Sequence, residues 1–402
     1  MRSRAQRYNI SLAGISLGAY HWAVVVAQHG SPRSATRLGA SPRNAYLAVM
    51  LQPSARFMTQ ARPLAIARWL FVVAALIVAM VVVGGITRLT ESGLSITDWK
   101  PITGAVPPLT QAQWQAAFDG YKRIPEYAAF NQGMTLAGFK AIFFWEYAHR
   151  LLGRVIGLAF ALPLLWFWVR KRIPAGYGWR LAALLALGGA QGGIGWWMVA
   201  SGLSVRTDVS HIRLTVHLLT ALVILSGIVW TALDLRRLHR DLFAAPARFT
   251  PLALVALALL FVQLGYGALT AGLDAGYAFA SWPLMGAALF PAGALPAGAG
   301  AAEMIDNPVL VQFIHRWTAF VAAAGLAVLA WRAHRAGSRA GVAVIALVTL
   351  QIALGIATLL SGVRIEVAVW HQANAALLLI ATIAAAHSLG YSDTRRQTRA
   401  KA

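Results

Sequence analysis

The sequence predicts an all-α integral membrane protein: eight transmembrane helices arranged as two tandem four-helix bundles, a parallel internal repeat. Three observations carry the prediction. Apolar runs of about 20 residues recur from residue 66 to residue 389, each long enough to cross a bilayer as a helix. The 402 residues are 58% hydrophobic and 12% charged, and a soluble chain would carry about twice that charged share. Finally, a set of short motifs occurs once in each half of the chain, in the same order.

The first span is read at 66–87, and the link behind it holds Trp99-Lys-Pro101-Ile-Thr-Gly104-Ala105. The second, at 141–169, contains Glu146 and His149-Arg150. The third, at 181–203, contains Gln191-Gly-Gly-Ile-Gly195 and ends on Ser201-Gly202, and the fourth, at 211–235, contains His217. The fifth span, at 250–271, starts the series again with Trp282-Pro283-Leu-Met-Gly286-Ala287 in its link. The sixth, at 309–331, holds His315-Arg316. The seventh, at 340–362, holds Gln351-Ile-Ala-Leu-Gly355 and ends on Ser361-Gly362, and the eighth, at 367–389, holds His371. These pairs divide the membrane part into an N-terminal bundle, 63–240, and a C-terminal bundle, 241–390, followed by a tail at 391–402. Both bundles start on the same side, which makes the repeat parallel rather than inverted.

Charge sets the direction of insertion. The links after spans two, four and six carry Arg170, Lys171, Arg172 and Arg180, then Arg236, Arg237, Arg240 and Arg248, then Arg332, Arg335 and Arg339. The link after span five has no Lys or Arg, only Asp274, Glu303 and Asp306. The positive-inside rule therefore places both termini in the cytoplasm. Much of the formal charge of +22 is accounted for by topology, so the partner of the basic surface is the lipid bilayer and not nucleic acid. The Ala- and Arg-rich composition favours a bacterial inner membrane over the mitochondrial inner membrane. Residues 1–62 contain no acid and read as a disordered leader, or as sequence ahead of a start at Met50 or Met58.

Cysteine is absent, which removes disulfides, thiolate metal sites, iron–sulfur clusters and covalent c-type heme together. Histidine takes their place. His149, His217, His315 and His371 fall one on each even-numbered span, four to eight residues inside its outer end. At a rise of 1.5 Å per residue they share one level, on the order of 6–12 Å below the outer boundary. One such histidine is adequately explained by a hydrogen bond between helices. Four at one depth point to function, because an ionisable group there is costly. Two neutral imidazoles facing across a bundle suit six-coordinate heme iron, whereas zinc or copper would want further ligands. The residue four places after each histidine is small (Gly153, Ala221, Ala319, Ala375), which leaves room for a flat macrocycle and also suits close helix packing.

Arg150 and Arg316 follow histidines directly, and Arg154 lies one turn further in. Such arginines either bind an anion such as a heme propionate or reach out to the headgroups. Glu146 stands three residues before His149 on the same helix face and is taken as the one carboxylate inside a span. Gln312 holds the matching position before His315 and cannot exchange a proton. His211, at the outer end of span four, is read as solvated, and His387, near the inner end of span eight, is given no role.

The stretches Gly84-Gly-Ile-Thr-Arg-Leu-Thr-Glu-Ser-Gly-Leu-Ser, Phe144-Trp-Glu-Tyr-Ala-His-Arg-Leu-Leu-Gly-Arg, Arg213-Leu-Thr-Val-His-Leu, Gln312-Phe-Ile-His-Arg and Trp370-His-Gln-Ala-Asn-Ala make residues 64–390 resemble the heme A synthase family. The resemblance implies an oxidoreductase that converts a methyl group of heme O to the formyl group of heme A by successive hydroxylations. It implies Glu146 as the catalytic carboxylate, His149 and His217 flanking the substrate heme O, and His315 and His371 ligating a resident heme b. Arg150, Arg154 and Arg316 would bind propionates. Implied partners are heme O synthase, cytochrome oxidase assembly factors and an electron acceptor of unknown identity. Some family members carry cysteine pairs in outer loops, and this chain departs from them. The competing reading is a di-heme b-type electron carrier linked to quinol, which explains the histidines but not Glu146 opposite Gln312. A heme transporter is disfavoured, because no histidines match these on the inner side.

Overall fold

The computed structural model describes residues 61–401, with side chains described to residue 392. The expected leader lies outside the described residues up to residue 60. Eight helices are long and apolar enough to cross a membrane. They are α1 (Pro63–Leu89), α2 (Leu136–Val169), α3 (Gly178–Val199), α4 (His211–Arg240), α5 (Pro251–Gly272), α6 (Pro308–Arg335), α7 (Ala340–Leu360) and α8 (Ile365–Lys401). The chain is a multi-pass membrane protein.

Local chemistry starts these helices where they start. Pro63, Pro251 and Pro308 open α1, α5 and α6, where a missing N–H costs nothing. The Thr250 hydroxyl accepts from Ala253 N–H, and the Asn307 side chain accepts from the N–H groups of Val309 and Leu310. Pro163, inside α2, cannot donate back to Ala159. The indole N–H of Trp69 on α1 donates to that carbonyl instead, at 2.7 Å, so no orphan acceptor faces lipid.

Two elements differ from expectation. Helix α2 begins at Leu136 rather than 141, capped by Thr135, because its first turns stand clear of the apolar run. They bury Phe139 and Phe143 against Phe118 and Tyr121 of an outer helix, Gln111–Tyr121. Helix α8 continues through the expected tail to Lys401.

The helices close two rings. Neighbours α1–α2–α3–α4 pack in sequence and α4 returns to α1, while α5–α6–α7–α8 do the same. The rings meet where α4 lies against α5 and where α8 lies against α1 and α4. This is compatible with two tandem four-helix bundles. Helices α3 and α7 are the least buried and α4 and α8 the most, so the former face lipid.

Candidate functional site

Each of the four histidines rests on a glycine of the helix that precedes its own. A Cβ added at Gly195 would lie 2.9 Å from His217 Cε1, one at Gly267 3.1 Å from His315 Cε1, and one at Gly355 3.0 Å from His371 Cε1. At Gly84 the nearest atom is His149 Nε2, at 3.3 Å. All four glycines stand four or five residues before the C-terminal end of their helices. The rings therefore lie at one level, roughly 6–8 Å below those ends. His149 is deeper in its own helix than expected only because α2 starts early. His149 lies near His217, and His315 near His371.

Glutamines brace three of the rings. Gln191 Nε2 donates to the His217 carbonyl at 2.7 Å and lies 3.1 Å from Nδ1. Gln263 meets His315 in the same way, at 3.0 and 3.1 Å, and Gln351 meets His371 at 3.0 and 3.2 Å. The amide orientation is set by a second layer, with Thr318 donating to Gln263 Oε1 and Asn374 to Gln351 Oε1. Gln191 and Gln351 are visible in the sequence as repeat markers. Gln263 is less visible as a repeat marker because Met80 holds the matching position on the first span, although Gln263-Leu-Gly-Tyr-Gly267 has the same four-residue spacing.

Glu146 is buried and fully engaged. Its Oε1 accepts from Arg150 Nε at 3.0 Å and Nη2 at 2.6 Å, and its Oε2 accepts from the Ser95 hydroxyl and Ile96 N–H, both at 2.7 Å. Gln312 repeats the geometry: its Oε1 accepts from Arg316 Nη2 at 3.1 Å, and its Nε2 donates to the Gly276 and Phe279 carbonyls. The arginines do not reach for headgroups. Arg150 donates to the carbonyls of Ile96 and Asp98, Arg154 to those of Lys100 and Pro101, and Arg316 to those of Phe279, Ser281 and Leu284. They tie the Trp99-Lys-Pro101 and Trp282-Pro283 links to α2 and α6.

The donor set fits heme. Each pair offers two imidazole ligands and no thiolate, each ring has a glycine beneath it where a side chain would intrude, and the residue one turn on is small. Arg316 Nε is buried with no hydrogen-bond partner among the described residues, a donor available to an anionic edge group.

Two residues set aside on sequence grounds are structural. His211 is buried rather than solvated, with Nε2 2.8 Å from Asp306. His387 is buried against Asp234, Nε2 to Oδ1 2.8 Å, and Arg180 holds the other Asp234 oxygen at 2.6 Å. Asp234 corrects the expectation that Glu146 is the one carboxylate inside a span.

A third carboxylate was missed. Glu126, on the outer helix Pro125–Phe130, is buried and accepts from the Tyr121 hydroxyl at 2.8 Å. Burial pushes its carboxyl up to about 7, with the Tyr121 bond opposing and the charges of Asp208, Glu146 and Glu91 adding. Burial and Glu126 in turn push the Tyr121 hydroxyl up. At this carboxyl the folded state thus binds more protons than the unfolded chain between pH 4.5 and about 7, and its contribution to stability falls as pH rises through that window. Glu126→Gln keeps an acceptor for Tyr121 and removes the titration. Thermal melts followed by circular dichroism should show the wild type losing stability across the window while the variant stays level.

Fold and site together define a class: a polytopic membrane protein with two pairs of histidines set between its helices. The chain matches the family described as cytochrome oxidase assembly protein over residues 67–383. It is 58% identical to the heme A synthase of Rhizorhabdus wittichii over 344 residues, 85% of this chain and 98% of that protein. It is 56% identical to the heme A synthase of Sphingopyxis alaskensis over 330 residues (82% and 93%), and 53% identical to that of Erythrobacter litoralis over 340 (84% and 100%). The chain belongs to the heme A synthase family of cytochrome oxidase assembly proteins.

Proposed function

We propose that the chain oxidises a methyl group of heme O to the formyl group of heme A. Two hydroxylations with water as oxygen source balance as a methyl plus one water giving a formyl, four protons and four electrons. The observation that carries the reading is the asymmetry between the rings of helices. Glu146 and Gln312 hold equivalent positions, each three residues before a histidine and each bonded to the arginine four residues on, but only Glu146 can take a proton.

On this reading His149 and His217 flank the substrate, and Glu146 is the acceptor for protons leaving the methyl group. Ser95 and Arg150 hold its oxygens in place, and Arg150 ties it to the link at Ile96–Asp98 that covers the site. His315 and His371 would hold a resident heme b. When bound, that group would supply a one-electron acceptor. Arg150, Arg154 and Arg316 border the outer rim, where propionates would lie. An electron carrier with two b-type hemes would need no carboxylate at 146, and the heme A synthase relatives do not favour it.

The bacterial relatives support a cell membrane, read here as the inner membrane, and the basic links after the even-numbered spans put both termini in the cytoplasm. Heme O synthase would supply the substrate, cytochrome oxidase assembly factors would receive the product, and an acceptor of unknown identity would drain the electrons. Identifying the hemes extracted from purified protein tests the activity: heme B together with heme O or A supports it, and heme B alone overturns it. Reporter fusions test the orientation. Fusions after residues 172 and 337 should report cytoplasm and one near 295 the outer side, and an outer report at 337 would reverse the assignment.

A further inference from the structure

Three of the four histidines are braced by an amide, and one is not. In α3, α5 and α7 the glutamine stands four residues before the glycine beneath the ring. In α1 the glycine is Gly84, and the residue four before it is Met80. Met80 Cε lies 3.3 Å from where a Cβ on Gly153 would be, one turn beyond His149 on the same helix. A thioether is a weak acceptor and no donor, and it moves easily. His149 makes no side-chain hydrogen bond with any described residue.

Ring orientation differs accordingly. The three braced rings present Cε1 to their glycines, whereas His149 presents Nε2 to Gly84. An amide held against an imidazole edge and the same residue's carbonyl limits rotation of the ring about χ2. A ring without that brace turns at lower cost.

We propose that Met80 makes His149 the exchangeable ligand: the ring that swings off the substrate's iron so that heme O enters and heme A leaves, while Gln191 keeps His217 in place. Gln263 and Gln351 hold the ligands of the resident heme on both sides. Gln191, Gln263, Gln351 and Met80 are thus positioning residues acting through histidine. The proposal rests on the assignment of His149 and His217 to the substrate.

The test loads full-length protein with heme O and follows transfer of each heme to excess apomyoglobin by absorbance, so that release is read without turnover. Wild type should lose heme O well before the resident heme. Met80→Gln should slow heme O release by roughly two- to tenfold, the equivalent of one net hydrogen bond, and leave resident heme release unchanged. Met80→Leu, similar in volume without an amide, should release heme O as wild type does. Gln191→Met removes the opposite brace and should speed heme O release. It also decides the matter if Met80→Gln does not fold, which the absorption of the resident heme reports. Gln351→Leu should shift that absorption and speed loss of the resident heme. Heme O release that ignores both Met80→Gln and Gln191→Met overturns the proposal. Retention of heme O with an unchanged spectrum in both His149→Ala and His217→Ala overturns instead the assignment beneath it.

Discussion

Glu146→Gln is expected to stop heme A formation while leaving the fold and both histidine pairs intact. The tolerance argument comes from the protein itself. Gln312 already sits in the matching place on α6, with its Oε1 on Arg316 as Glu146 has its own on Arg150. A glutamine at 146 keeps the volume and that acceptor, and loses the ability to take a proton, the charge that pairs with Arg150 and the acceptor for the Ile96 N–H. Product should fall by roughly 10²–10⁴-fold, the range for a missing general base. Heme O or its hydroxymethyl intermediate should build up on the protein, seen by extracting and separating the hemes. The competing role is visible in the structure, since Glu146 also anchors Arg150 and through it the covering link. If that is all it does, Glu146→Gln will turn over at a near-normal rate and the catalytic assignment falls. Gln312→Glu is the complement, and it should leave chemistry alone while a new carboxylate beside Arg316 weakens retention of the resident heme.

The second large effect separates the histidine pairs. His315→Ala or His371→Ala should strip the resident b-type heme, read as loss of its absorption in protein made without heme O. His149→Ala or His217→Ala should spare that absorption and abolish product. Each deletion leaves its glutamine or methionine facing a void, so some loss of melting temperature is expected in all four. Equal loss of one heme in all four variants would show that the pairs are not separate sites.

Hydropathy alone made the spans legible, because a bilayer demands about 20 apolar residues in a row and the chain obeys. The early start of α2 was not, since Phe139 and Phe143 read equally well as membrane or as the seat of an outer helix. The four histidines stood out because a titratable side chain in an apolar run has few bland explanations. The arginines beside them were harder. Their donors go to backbone carbonyls of distant links, and no pattern of residue types announces a carbonyl. Asp234 and His387 were overlooked because charged groups near helix ends look like residues reaching for water, and only the fold shows them paired 153 positions apart. Glu126 hid in a polar link, where burial has no periodic signature.

The pairing of Asp234 with His387 has a counterpart on the opposite face of the membrane. Arg88 at the end of α1 meets Asp274 at 2.6 Å, and His211 meets Asp306 at 2.8 Å, again joining the first four helices to the second four. Between these levels Gln372 of α8 donates to the Val81 carbonyl of α1 at 2.9 Å. A seam tied at both faces and in the middle resists the rocking that a carrier would need to pass its cargo from one side to the other. On the proposed assignment it would also hold the gap between the two histidine pairs steady, so that the pace of electrons crossing it would answer to driving force and to what occupies the pockets.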